Sequence, residues 1–188
     1  MTVQISHFGR AVGPGDLVFR SPLSVACDVI SGRMFVADAD TGCVKIFDAR
    51  CNYAAEFGND PTSGQTSPTG TGNKSAAMLD RPMDLCCDSL GNVVVCDTGN
   101  QRVVMFSADG RYLCTLIDFR SATGSKSVAG SPARWRLKRR QSSVYGSLVP
   151  MCVGLSSPGS RIAVGLNDNG SRSCSFRKLI VCSVTPEL

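Results

Sequence analysis

The residues best suited to binding chemistry lie in one short basic segment around the only tryptophan of the chain. Arginine and lysine side chains neutralise phosphate groups, and an aromatic ring offers a face on which a base can stack. Residues 118–148 carry seven basic side chains against the single acidic Asp118, whereas the whole chain has a net charge of +5. A solvated insertion without a ligand is the alternative interpretation. The predicted binding residues are Arg134, Trp135, Arg136, Lys138, Arg139 and Arg140.

The same basic segment also has the form of two regulatory signals. A run of arginines and lysines is typical of nuclear-import signals, and Ser142 follows two arginines in the pattern of a basophilic kinase site. A phosphate on Ser142 would cancel part of the local positive charge. We therefore predict Ser142 as a phosphorylation site and expect a cytoplasmic or nuclear protein.

Aspartates recur at the ends of predicted strands, where paired carboxylates could serve acid–base chemistry or bind calcium. An aspartate at a strand end also accepts hydrogen bonds from the backbone of the turn that follows it. Because these aspartates recur with a sequence repeat and do not converge on one motif, we interpret them as turn residues. The predicted structural turn residues are Asp38, Asp97 and Asn100.

Arg102 follows the second of these turns and allows two interpretations. Its guanidinium could present positive charge to a protein or RNA ligand, or it could bond to turn carbonyls of its own sheet. We predict Arg102 as a ligand-binding residue and keep the structural role open.

Metal-dependent and covalent chemistry have little support in the composition. His7 is the only histidine, and most of the ten cysteines lie among apolar strand residues without Cys-x-x-Cys spacing. We expect reduced thiols, no bound metal and no cofactor. No apolar run reaches the length of a membrane helix, so no membrane partner is expected.

The elements that would position these residues form a repeat. Pro22 and Pro82 are 60 residues apart, Asp38 and Asp97 are 59 apart, and a fainter third copy begins at Pro150. Self-similarity at this spacing is typical of units that stack on one another, and each copy is built of short runs of β-branched residues between turns. The sequence thus predicts an all-β fold with four antiparallel strands per copy. For the third copy, the predicted strands are 150–156, 161–165, 173–177 and 179–184.

The repeats divide the single predicted domain into segments. Two long Gly-, Ser- and Thr-rich or basic stretches separate the copies, and neither has a periodic apolar face. We call each four-stranded copy a blade. The predicted organisation is a blade at 20–57, a loop at 58–80, a blade at 81–117, a basic insertion at 118–148 and a degenerate blade at 149–185.

Three stretches carry a resemblance to the NHL repeat family: Asp97-Thr98-Gly99-Asn100-Gln101-Arg102-Val103, Val36-Ala37-Asp38 and Phe57-Gly58. The resemblance implies a β-propeller, usually of six blades, of which this chain supplies about three. Residues 3–8 look like the outer strand of a further blade. We expect either a fragment of a longer protein or two copies that associate through their open blade edges.

The resemblance also implies a function. The chain is similar to the propellers of tripartite-motif proteins, which select a protein or single-stranded RNA target while a RING domain carries ubiquitin-ligase activity. We therefore expect a non-catalytic binding module, with any ligase activity in a RING domain that these 188 residues do not contain. A fragment of a metal-dependent propeller lyase or lactonase is the alternative.

Overall fold

The structure is a computed structural model that describes residues 19–59, 76–120, 148–156, 161–168 and 178–183. Within these ranges the regular elements are all β-strands, which confirms the predicted all-β class. The described residues contain no helix long and apolar enough to cross a membrane.

The strands form three antiparallel sheets, which we call blades 1, 2 and 3 in chain order. In each of the first two blades the four strands pair in the order in which the chain forms them. Blade 1 contains β1 (Pro22–Cys27), β2 (Met34–Asp38), β3 (Cys43–Phe47) and β4 (Tyr53–Phe57). Blade 2 contains β5 (Pro82–Cys87), β6 (Val93–Asp97), β7 (Arg102–Phe106) and β8 (Tyr112–Asp118). Blade 3 contains β9 (Leu148–Leu155), β10 (Arg161–Asp168) and β11 (Lys178–Ser183).

The first strand of each described blade has the same irregularity directly after a proline. Pro22 pairs with Asp38 and Pro82 with Asp97, and in each case the residue after the proline is skipped in the pairing register. Pro150 pairs with Leu166 and is followed by the same irregularity. Proline has no backbone N–H to donate to a regular ladder of hydrogen bonds. It is therefore tolerated at a position where the pairing is irregular. The shared bulge shows that the three blades are copies of one unit.

The pairing of blade 3 corrects the predicted alignment of its third strand. The sequence placed that strand at 173–177, with Arg172 matching Arg102. In the structure Lys178 pairs with Leu166, just as Arg102 pairs with Asp97, so Lys178 holds the equivalent position. β11 therefore pairs with β10 in the place of a third strand, although its residues were predicted as the fourth strand at 179–184. The predicted strand at 173–177 lies outside the described residues. Arg172 itself lies outside the described residues.

Apolar side chains on both faces of blade 2 form the core. Alternate residues of a strand point to opposite faces of the sheet, so a strand apolar throughout can pack on two neighbours at once. In β6, Val93 and Val95 pack in the cluster shared with blade 1, and Val94 and Cys96 pack in the cluster shared with blade 3. All four are fully buried.

We predict that two leucines five positions apart in blade 2 differ sharply in their effect on stability. Leu85 is 4 % exposed in the core shared with blade 1, and Leu90 is 61 % exposed in the turn after β5. Leu85→Ala should lower the free energy of unfolding by about 2 to 5 kcal/mol because it leaves a cavity. Leu90→Ala should change it by less than about 0.5 kcal/mol. Urea denaturation of both variants measures the difference, and equal effects would contradict the packing described.

Candidate functional site

The turn between β6 and β7 surrounds a buried carboxylate. Asp97 has no exposed surface and accepts a hydrogen bond from the backbone N–H of Asp80 at 2.7 Å. The Asn100 side-chain amide donates to both carboxylate oxygens, at 3.1 and 2.9 Å. The Nε of Arg102 donates to Oδ2 at 2.6 Å. The carboxylate therefore links the β6–β7 turn to Asp80, in the segment that precedes β5.

Arg102 is the partner that balances this charge. Its side chain is 8 % exposed, and its Nη2 donates to the backbone carbonyl of Met78 at 2.7 Å. Burial raises the pKa of Asp97, and the guanidinium opposes that shift. The structure places Arg102 in a buried brace, so the predicted ligand-binding role rests on its position in the sequence alone.

Blade 1 holds a different arrangement at the equivalent turn. Asp38 accepts hydrogen bonds from the backbone N–H groups of Arg20 and Ser21, but Cys43 occupies the position of Arg102. An ion pair lies beside it, in which Nζ of the buried Lys45 is 2.8 Å from Oε2 of Glu56, an exposed residue. Burial raises the pKa of the Cys43 thiol, which favours its protonated form. In both blades, the charged side chains at or beside this turn are thus already paired with other groups of the chain.

A third aspartate joins the first strands of all three blades. Asp84 in β5 accepts a hydrogen bond from Ser24 Oγ of β1 at 2.5 Å and one from the Val153 N–H of β9 at 2.8 Å. Its own neighbour Leu85 also donates to it, at 2.9 Å. The sequence analysis did not single out Asp84. Its signal was a charged residue inside an apolar strand, at the position equivalent to Ser24.

The opposite end of the blades presents apolar side chains to solvent. Ile30 in the β1–β2 turn is 75 % exposed, and Leu90 holds the equivalent position in the β5–β6 turn at 61 % exposed. We call these two residues the apolar turn patch. The two ends of the blades therefore differ: this end exposes aliphatic side chains at matching positions, whereas the other end buries charged side chains.

The backbone under the apolar turn patch is held by two aspartates. Asp28 accepts hydrogen bonds from the Ile30 N–H at 3.0 Å and from the Ser31 hydroxyl at 2.5 Å. Asp88 accepts one from the Leu90 N–H at 2.8 Å and another from the Asn92 amide. The Ser31 and Ile30 hydrogen bonds lower the pKa of Asp28, so this carboxylate stays ionised at neutral pH. Each apolar side chain therefore projects from a fixed turn.

The two turns touch each other. Gly91 has a φ of 78°, and a Cβ placed on it would lie 3.0 Å from Asp28 Oδ2. A side chain at this position would be strained both by its backbone conformation and by that contact. Arg33 adds a second link between blades 1 and 2, since its Nη1 lies 2.9 Å from Asp109 Oδ1. The spacing of Ile30 and Leu90 is thus set by contacts between the blades.

Sequence reasoning missed the apolar turn patch. The sequence analysis assigns no role to Leu90 or Ile30. The available signal was the recurrence of a large aliphatic residue two positions after Asp28 and again after Asp88. Aliphatic residues are uncommon in short turns, which favour Gly, Asn, Asp and Ser.

Several predicted residues lie outside the described ranges. Within those ranges, no group of three histidine, cysteine, aspartate or glutamate residues is placed to hold a metal ion. Eight cysteines are free thiols, from Cys27 to Cys152, and burial raises the pKa of Cys86 and Cys87 to about 12. The residues that fall outside are Arg134, Trp135, Arg136, Lys138, Arg139, Arg140 and Ser142.

A family model matches the second blade. The NHL repeat model covers residues 79–106, from the entry segment of blade 2 to the end of β7. This segment is an NHL repeat. It contains Asp97, Asn100 and Arg102 of the buried turn together with Leu90 of the apolar turn patch. No curated protein matches the chain.

We predict that the Asp97–Arg102 pair contributes stability with a distinctive pH dependence. Arg102→Met should lower the free energy of unfolding by about 3 to 5 kcal/mol, because it leaves Asp97 buried without its counter-ion. The pKa of Asp97 then lies further above its unfolded value. The variant should lose stability relative to wild type as the pH rises from 4 to 8, because the folded state then has to hold an ionised carboxylate.

Urea denaturation at several pH values measures this effect. Arg111→Met is the matched control, because Arg111 is an exposed arginine of the same blade. A loss for Arg102→Met as small as that for Arg111→Met would show that Arg102 is not a structural residue.

Proposed function

We propose that this chain is a non-catalytic propeller module that binds a protein partner through the apolar turn patch. The observation that carries the proposal is the repeated exposure of Ile30 and Leu90 on turns held by Asp28 and Asp88. NHL repeat domains commonly mediate protein interactions, and residues 79–106 are such a repeat.

Physical arguments favour this end of the blades. A rigid apolar anchor loses little conformational entropy on binding and gains from the removal of its surface from water. At the other end, Asp97 and Arg102 are already buried against each other, so recruiting them for a ligand would break a desolvated ion pair. We infer that an apolar partner segment spans the two neighbouring turns.

The wider role that we propose follows the resemblance stated above. In a protein similar to the tripartite-motif ubiquitin ligases, this module would select the target and a RING domain would carry the ligase activity. The partner would then be a substrate protein, held at Ile30 and Leu90.

Single-stranded RNA is a second proposed ligand, favoured by a separate observation. The basic segment combines Trp135 with the arginines and lysines of residues 134–140, and residues 118–148 carry seven basic side chains against one acidic side chain. Stacking on one aromatic ring and neutralisation of several phosphates would give sequence-tolerant binding.

Selection of a displayed library of random peptides on the full chain tests the protein-binding proposal. Selected peptides should contain aliphatic or aromatic anchors, and Leu90→Asp or Ile30→Asp should weaken their binding at least about tenfold, since each charge would face a desolvated contact. Leu179→Asp is the matched control, because Leu179 is exposed on blade 3. Equal losses for Leu90→Asp and Leu179→Asp would refute the assignment to the apolar turn patch.

For RNA, we predict binding that weakens steeply with salt and depends on the basic segment. Replacing Arg134, Arg136, Lys138, Arg139 and Arg140 with alanine should reduce the slope of log affinity against log salt by roughly 3 to 4, because fewer counter-ions are released. Fluorescence anisotropy with a labelled single-stranded oligonucleotide measures both affinity and slope. Arg50→Ala with Arg111→Ala is the control for general charge, and an unchanged affinity of the fivefold variant would end the RNA proposal.

A further inference from the structure

The turn that carries Ile30 is one residue longer than the equivalent turn of blade 2. Residues 28–33 connect β1 to β2 and residues 88–92 connect β5 to β6, so blade 1 has six residues where blade 2 has five. Ile30 and Leu90 each donate an N–H to the aspartate two positions before, so the two turns match up to this point. In blade 2 a glycine with a positive φ follows directly, whereas in blade 1 Ser31 precedes that glycine. Ser31 is therefore the extra residue, and it is exposed.

The Ser31 hydroxyl replaces an asparagine amide of blade 2. Nδ2 of Asn92 donates to Oδ2 of Asp88 at 2.9 Å. Arg33 holds the position of Asn92, because the backbone carbonyl of each accepts a hydrogen bond from the aspartate that begins its turn. In blade 1 the hydroxyl of Ser31 donates to Oδ2 of Asp28 instead, at 2.5 Å. Of these two carboxylate contacts, only the one in blade 1 comes from a hydroxyl that can accept a phosphate.

Arg33 connects the same turn to blade 2. Its Nη1 lies 2.9 Å from Oδ1 of Asp109 and 3.3 Å from the carbonyl oxygen of Ala108, both in the turn between β7 and β8. The arginine follows Ser31 by two positions, and its side chain is 40 % exposed. A protein kinase that selects its serine through carboxylates can pair with such a guanidinium. The turn thus presents an exposed hydroxyl together with a cation that a kinase can recognise.

We propose that Ser31 is a phosphorylation site and that its phosphate loosens the contact between the turns of blades 1 and 2. The kinase transfers the γ-phosphoryl group of ATP to Oγ of Ser31. The bond from Oγ to phosphorus forms, the bond from phosphorus to the bridging oxygen of ADP breaks, and the hydroxyl proton passes to a base of the kinase. The product has no hydroxyl proton to donate to Asp28. It also places a charge of about −1.5 to −2 beside that carboxylate.

Both links between the two turns depend on groups beside Ser31. Oδ2 of Asp28, which receives the hydroxyl, is the atom that faces Gly91 of blade 2. Arg33 makes the other link. The phosphate repels Asp28 and draws Arg33 away from blade 2, because a guanidinium binds phosphate more strongly than it binds an exposed carboxylate. Ile30 then loses its fixed position on blade 2, and its effect on a partner is the one step that rests on the proposed function.

A serine kinase that selects arginine two positions after the serine, added to the full chain with magnesium and ATP, tests the site. Mass spectrometry of the digested chain gives the phosphate occupancy of each serine. We expect phosphate on Ser31, and an occupancy at least about tenfold lower in Arg33→Ala because the kinase loses its ion pair. Ser89→Ala is the matched control, since Ser89 is exposed in the equivalent turn without an arginine two positions after it. Phosphate on Ser142 with none on Ser31 would overturn the assignment.

Phosphoserine placed at position 31 during synthesis of the full chain measures the structural effect. The amides of Ile30 and Gly32 both donate to Asp28, so their hydrogen exchange should become at least about tenfold faster. Phosphoserine at position 89 is the control and should leave both rates unchanged. Unchanged rates with phosphoserine at position 31 contradict the proposal. Faster exchange throughout β6 also contradicts it, because the change is confined to the turns.

Peptide binding separates this inference from the proposed function. Peptides selected on the unmodified chain should bind at least about tenfold more weakly when position 31 carries phosphoserine. Unchanged affinity would refute the regulatory effect and leave the proposed function standing. Selection of no peptide, together with faster exchange of the Ile30 amide, would refute the proposed function and leave the phosphorylation site standing.

Discussion

Each of the three described sheets has two apolar faces, and each face is stabilised where a neighbouring blade covers it. Blade 2 has both faces covered, because blades 1 and 3 enclose Val93 and Val94 from opposite sides. A single amphipathic sheet would instead turn a polar face to water. The need to cover both faces explains why the chain repeats one unit, and it makes the contact between blades the basic element of the fold.

Polar contacts between the blades fix the alignment of the sheets and leave this apolar packing intact. Asp84 receives donors from the first strands on both sides, so one carboxylate aligns three sheets. Asp97 and Arg102 bind the entry segment to the next turn. Among the described residues no buried side-chain nitrogen or oxygen lacks a hydrogen-bond partner, so these groups are accommodated at little cost. Charges of this kind position the scaffold.

The repeat spacing was sufficient to predict the strand order of blades 1 and 2, because a period-two register leaves little freedom once Pro22 and Pro82 are aligned. It failed for the third strand of blade 3, where the sequence aligns Arg172 with Arg102 but Lys178 is the residue that pairs with Leu166. Ile30 and Leu90 were missed for a different reason. Exposure of an aliphatic side chain depends on which neighbours cover it, and no single strand encodes that information.

The contact of Gly91 with Asp28 has a thermodynamic consequence for the module. Because the two turns are in contact, the distance between Ile30 and Leu90 is a property of how blade 1 sits on blade 2. A ligand that requires this distance binds only the properly packed state, and linkage then obliges the ligand to stabilise that packing in return. For the partner proposed at Ile30 and Leu90, recognition and the cohesion of the scaffold would thus be reciprocal, and a change deep between the blades would alter affinity without any contact with the partner.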